Sequence, residues 1–147
     1  MRQKLWETHA HWWQKGFTDG ADAEYEEQIL PLAADLLTGF DRILDIGCGI
    51  GGPAFVLAEK YGAYVVGIDI ESELIARARL RAKELQIDSH CKFLLVEPGP
   101  MTFPDESFDV VLSTGVIMQI EDKQQIFEET LRVLKPGGAL TVYDWMK

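Results

Sequence analysis

Asp45 stands two residues ahead of Gly47, and Gly49, Gly51 and Gly52 follow before apolar residues resume at Pro53. A turn of that composition presents bare backbone, with no side chain between the main chain and a bound ligand. Asp69 comes 18 residues after Gly51, about the spacing at which a carboxylate reaches ribose hydroxyls in a nucleotide-binding strand–helix–strand unit. The chemistry to be positioned is therefore recognition of a nucleoside by a glycine turn with an acid on either side. A tight turn whose glycines serve packing alone is the plain alternative.

Gly47, Gly49 and Gly52 satisfy the pattern G-x-G-x-x-G, so a nicotinamide dinucleotide is a rival ligand. Asp45 discriminates. A carboxylate so close to the turn repels a diphosphate but attracts an ammonium group. S-adenosylmethionine carries an ammonium and a sulfonium and no phosphate, so charge favours it. No tyrosine–lysine pair near residues 108–114 supports oxidoreductase chemistry.

The elements that must hold these residues follow from periodicity. ILDI ends a strand over 42–46, a helix runs over 51–61 with its positive end toward the ligand, and a second strand closes at Asp69. A helix is expected over 71–85, with Ser72 as N-cap and Leu74, Ile75, Ala78 and Leu85 facing inward. Strand three spans 91–96, a proline-rich loop 97–107, and strand four 108–114. A helix over 121–134 carries Ile126, Leu131 and Leu134 on one side, and strand five spans 139–145. Alternating strands and helices predict an α/β fold: one doubly wound, mostly parallel sheet covered on both faces, with the ligand at the carboxyl edge of its strands. Residues 1–40 read as an N-terminal helical cap, in which Trp12, Trp13, Phe17 and Tyr25 form a lid or simply pack on the sheet. Residues 41–147 form the nucleotide-binding core of what is expected to be one domain.

Composition narrows the function further. Of 147 residues, 14 are Lys or Arg and 24 Asp or Glu, a formal net charge of -10 that repels nucleic-acid backbones. Apolar runs fall short of the roughly 20 residues needed to span a bilayer, and the N-terminus lacks a secretory signal pattern, so no membrane partner and a cytoplasmic location are expected. Cys48 and Cys91, with His9, His11 and His90, form no metal-ligand spacing.

Four segments in order, LDIGCGIGG, GIDIES, FPDESFDVVLS and LRVLKPGGAL, resemble the class I S-adenosylmethionine-dependent methyltransferases, over about residues 30 to 145. The glycine segment is most similar to enzymes acting on small molecules, such as phosphoethanolamine and glycine-type N-methyltransferases. The resemblance implies a Rossmann-like sheet of strand order 3-2-1-4-5. It also implies that Gly47, Cys48 and Gly49 pass their backbone close to the methionine part, with Asp45 near the amino group directly or through water, and that Ile46, Gly51 and Pro98 are among the cofactor-binding residues. Asp69 would accept the ribose hydroxyls, Ile70 would pack on adenine, Glu97 would receive the adenine amino group, and Ser113 would line the methionine end. The implied partner is a small-molecule methyl acceptor.

Three positions depart from the family pattern. Pro98 has no N–H to offer adenine. Gln119 stands where relatives often carry histidine and cannot take up a proton at neutral pH. The family's C-terminal antiparallel strand pair is not expected after strand five: either the chain is a fragment, or the exposed edge is covered by a partner chain or by the tryptophan-rich N-terminus, and association through that edge is expected. A non-catalytic cofactor-binding module and an NAD(P)-dependent oxidoreductase remain the alternatives.

Overall fold

A computed structural model of the chain describes residues 41–143. The expected helical cap, its aromatic lid and the end of the expected strand five lie outside the described residues. Within them the order is β1 (Arg42–Ile46), α1 (Gly52–Tyr61), β2 (Tyr64–Asp69), α2 (Ser72–Glu84) and β3 (Cys91–Leu95). Then follow β4 (Phe108–Thr114), a short 3-10 turn (Ile117–Gln119), α3 (Lys123–Val133) and β5 (Leu134–Tyr143). The strands form one parallel sheet of order β3-β2-β1-β4-β5, as expected.

Apolar residues run almost without interruption through β1, β2 and β4 because the sheet is covered on both faces. Alternate side chains divide the core between them. Ile43, Val65, Phe93, Val110 and Leu112 pack with Leu57 of α1 and Ile75, Ala78 and Ala82 of α2. On the opposite face Leu44, Ile46, Ile68, Phe108 and Val111 pack with Val133 of α3, and with Met101 and Phe103 from the loop after β3.

The first βαβ unit is held by its tightest contacts. Gly51 caps α1 with φ 92°, a left-handed conformation, and a Cβ there would lie 2.8 Å from Phe93 Cζ. Only glycine satisfies both conditions. Gly67, which pairs with Asp45 in the sheet, leaves room for Cys48, whose Cβ would sit 2.7 Å from a side chain at that position.

Several element details differ from expectation. Glu71, not Ser72, is the N-cap of α2, and it makes no side-chain capping bond; its backbone N–H donates instead to Asp69 Oδ1 at 3.0 Å. Leu85 lies past the end of α2 and is exposed, and Ala82 takes the inward position. Leu131 is 74% exposed on the outer side of α3. β5 begins directly after α3 at Leu134, not at Ala139, because Pro136–Gly138 bulge out between the pairs Phe108–Leu134 and Val110–Ala139. Gly137 supplies the positive φ of that bulge. Within the described sheet β5 is an edge strand, with Val142 42% exposed.

Candidate functional site

β1, β2 and β4 deliver Asp45, Ile46, Asp69 and Ser113 to one end of the sheet, where the chain leaves β1 through the glycine turn. The turn folds back on β2. Gly47 N and Cys48 N both donate to Ile68 O, at 2.8 and 3.0 Å, and Gly49 N donates to Asp69 Oδ2 at 2.9 Å. Gly51 N donates to Cys48 O at 3.0 Å. Gly47 has φ 73°, and a Cβ on it would overlap Val116 Cγ2 after β4, so this position accepts neither a side chain nor an ordinary backbone geometry.

These bonds decide what the turn can bind. A diphosphate held at such a loop needs backbone N–H groups pointing outward. Here the donors of Gly47, Cys48, Gly49 and Gly51 all close bonds within the protein, and Pro53 in the first turn of α1 has none. The positive helix end expected to face the ligand therefore has fewer free N–H groups to offer.

Carboxylates dominate the electrostatics. Asp45 is 2% exposed, and burial, with Asp69's charge adding to it, pushes its carboxyl from 3.8 up to about 7. Its Oδ2 has no hydrogen-bond partner among the described residues, and neither does Ser113 Oγ, 1% exposed on β4. Burial also raises Asp69, but the N–H groups of Gly49, Glu71 and Ile70 oppose the rise by stabilising its ionised form. Cys48 is buried against the α1 face, where burial and then the charges of Asp45 and Asp69 hold its thiol well above the ordinary range. An environment of this kind disfavours the thiolate form.

A groove of about 910 Å³ opens on the opposite face of the sheet, the face of Ile46 and Ile68. Of the residues selected from the sequence, Ile46, Gly47, Asp69, Ile70, Glu97 and Pro98 line it. Asp45 and Ser113 are buried and do not line the groove, and Cys48, Gly49 and Gly51 shape the turn without lining it either. Glu97 and Pro98 are exposed at the rim. The loop residues Met101 and Phe103 form one further wall, and Val116, Gln119 and Ile126 another. Of these, Met101, Phe103 and Val116 carry no signal in the sequence, because irregular segments have no periodicity to show which side faces inward. Among the described lining residues there are four acids, Asp69, Glu97, Glu121 and Asp122, and no Lys or Arg. Gln119 donates from its amide to Gly115 O at 3.0 Å, which fixes it against the wall.

With that geometry established, comparison with known proteins gives a family. Residues 38–146 match the model of the methyltransferase domain, and the chain belongs to that family. It is 41% identical over 108 residues to phosphoethanolamine N-methyltransferase 1 of Zea mays, covering 72% of this chain and 21% of that one. It is 34% identical over 152 residues to 27-O-demethylrifamycin SV methyltransferase of Amycolatopsis mediterranei, covering 99% of this chain and 54% of the relative. The chain thus spans between about a fifth and about half of these relatives' lengths. Among solved structures it resembles the PH0226 protein of Pyrococcus horikoshii with TM-score 0.76 at 32% identity, over 84% of this chain and 57% of that one. It also resembles Haemonchus contortus phosphoethanolamine N-methyltransferase 2 bound to phosphomonomethylethanolamine and S-adenosylhomocysteine. There the TM-score is 0.71 at 31% identity, over 77% of this chain and 27% of that one.

Proposed function

We propose that the chain binds S-adenosylmethionine at the carboxyl edge of β1, β2 and β4 and transfers its methyl group to a small molecule. The observation that carries this reading is the closure of the turn. The backbone donors of Gly47, Cys48, Gly49 and Gly51 are engaged within the protein, so the turn offers a diphosphate few outward N–H groups, while the surrounding carboxylates suit a phosphate-free cation. Solved relatives contain S-adenosylmethionine or S-adenosylhomocysteine.

In this reading Asp69, already oriented by two backbone N–H groups, accepts the ribose hydroxyls. Ile70 packs on adenine, and Glu97 receives its amino group at the rim. Gly47, Cys48 and Gly49 let the main chain approach the methionine part. Ser113 Oγ, unpartnered on the groove's own face of the sheet, donates or accepts at the methionine end. Asp45, with Ile46 and Gly51 around it, acts from beneath the turn: its buried charge favours the cofactor's ammonium and sulfonium through the field or through water. Pro98 leaves the adenine ring one hydrogen bond short, at a cost of about 0.5–1.5 kcal/mol.

When bound, the cofactor would supply an electrophilic methyl group, to which the acceptor would bond in line as the carbon–sulfur bond breaks and sulfur leaves with its electron pair. The protein's part is orientation and exclusion of water, which for well-aligned reactants is worth about 7–11 kcal/mol. No catalytic acid or base is assigned. We place the chain in the cytoplasm and its acceptor among small molecules, in keeping with relatives named for phosphoethanolamine, demethylrifamycin and a hydroquinone.

Thermal shift tests the cofactor directly. S-adenosylhomocysteine at a hundred times its dissociation constant adds about 2.7 kcal/mol of stability. Stabilisation by NAD with none by S-adenosylhomocysteine would overturn the assignment. Methyl release in the presence of amines, phosphobases and phenols then separates an enzyme from a binding module.

A further inference from the structure

The loop between β3 and β4 forms a wall of the groove yet has almost nothing of its own to hold it. Pro98, Pro100 and Pro104 lack N–H groups, and no helix or strand forms between Leu95 and Phe108. Backbone groups so placed need partners elsewhere. One turn of α3 provides them. Arg132 Nη2 donates to Met101 O at 3.0 Å and Nη1 to Phe103 O at 2.7 Å. Glu129 Oε2 accepts the Met101 N–H at 3.0 Å, so both backbone groups of Met101 are taken by side chains of α3.

The two side chains also hold each other. Arg132 Nη2 lies 2.7 Å from Glu129 Oε2, its Nε donates to the same carboxylate, and Nη1 reaches Asp105 Oδ1 at 2.9 Å. All five guanidinium donors are therefore engaged, two of them on loop carbonyls. A planar fork is needed for this, and an ammonium group cannot reproduce it. Asp105 is 76% exposed, whereas Glu129 is 17% exposed, so the Glu129 arm is the better shielded from solvent.

We infer that Arg132 and Glu129 are positioning residues: they clamp the Met101–Phe103 segment against the sheet and so keep the ligand groove formed. Neither residue is among those lining the groove. The inference rests on the cofactor reading only for the identity of the ligand, because the clamp itself is defined within the protein. With it closed, Met101 and Phe103 pack on the Phe108 face of the core, Phe103 edge-on to Phe108 at 5.0 Å between ring centroids. With it released, the loop exchanges between open and closed positions, and ligand affinity falls by the fraction of time the wall is absent.

Three variants test this in the full chain: Arg132→Met, Arg132→Lys and Glu129→Gln. Amide hydrogen exchange is read at Met101 and at Leu44 and Val66 in the sheet, and S-adenosylhomocysteine affinity by calorimetry. Arg132→Met should expose the Met101 amide while Leu44 and Val66 stay protected, and should weaken binding about tenfold, as for a wall formed about a tenth of the time. Arg132→Lys should restore little of the lost affinity; Glu129→Gln, which keeps an acceptor for the Met101 N–H, should fall between wild type and Arg132→Met. Equal loss of protection at Met101, Leu44 and Val66 would reduce the pair to a general stabilising role and overturn the inference. So would unchanged Met101 exchange or full rescue by lysine. If the wild-type chain fails to bind S-adenosylhomocysteine, the cofactor reading falls, and the exchange pattern alone still decides the clamp.

Discussion

Replacing Asp45 by Asn separates the energetic burden of the buried acid from its use. The carboxyl sits 2% exposed with one oxygen unpartnered, and burial and Asp69 raise it from 3.8 to about 7. The folded chain therefore holds a proton that the unfolded chain has released across the intervening range. Wherever the folded state binds more protons, stability falls as pH rises. Wild type should accordingly lose about 1.4 kcal/mol per pH unit between roughly pH 4 and pH 7 on account of this one group, and nothing further above that range. Glu129, held low by Arg132, and Asp109, in which the effect of burial is outweighed by the Arg42 N–H and then Lys135, act in the opposite sense but at lower pH, and comparison with a variant that differs only at residue 45 isolates the contribution of this group.

An asparagine cannot ionise, so the variant lacks this slope. Its amide meets no partner where Oδ2 already meets none among the described residues, so that cost is common to both proteins. The two should therefore be of similar stability near pH 5, and the variant should gain on wild type by about 3 kcal/mol on going to pH 8. Urea unfolding at the two pH values measures the difference. Ligand binding supplies the other half. If the ionised acid attracts the cofactor's cationic groups, the ligand's presence lowers the Asp45 pKa, and by reciprocity wild-type affinity for S-adenosylhomocysteine, which retains the ammonium, rises from about pH 6 to about pH 8. The Asn variant should show no such rise. Parallel stability profiles for the two proteins would refute the buried-charge argument; parallel affinity profiles would refute the use made of it.

Other outcomes follow from individual contacts. Asp69→Ala removes the acceptor of the Gly49 and Glu71 N–H groups, so it should destabilise the free chain by about 1–3 kcal/mol in urea unfolding as well as weakening cofactor binding. Gly47→Ala forces a Cβ onto Val116 in a backbone conformation with φ 73°, and should cost about 1–3 kcal/mol; adding Val116→Ala should recover part of that loss in the same assay. Association through the β5 edge, where Val142 is exposed, should appear as a concentration-dependent mass in light scattering, and Val142→Lys should reduce it.

The parts of this architecture legible in the sequence are those that depend on near neighbours along the chain. The β1–α1–β2 unit is one: strand, turn and helix are each encoded within a few residues, and the carboxylate at Asp69 falls where the end of β2 must lie. Elements placed by distant partners were read less well. Leu85 and Leu131 fit an apolar helical period, yet whether such a residue is covered depends on what packs outside it, and nothing among the described residues buries them. The expected start of β5 at residue 139 falls five residues after the observed one because Pro136–Gly138 suit no regular strand, while pairing of Leu134 with Phe108 carries the strand through them as a bulge.

Arg132 shows the same limit inside the site. It lies within LRVLKPGGAL, a segment already quoted for its resemblance, but as one charged residue on an amphipathic helix it reads as solvated surface. Its partners Met101, Phe103 and Asp105 come from 27 to 31 residues earlier in the chain, beyond any local pattern. What would point to it is a count of unmet needs. A loop with three prolines between two strands must find its hydrogen bonds outside itself, and the side chain best able to satisfy two carbonyls and a carboxylate together is an arginine on the next helix.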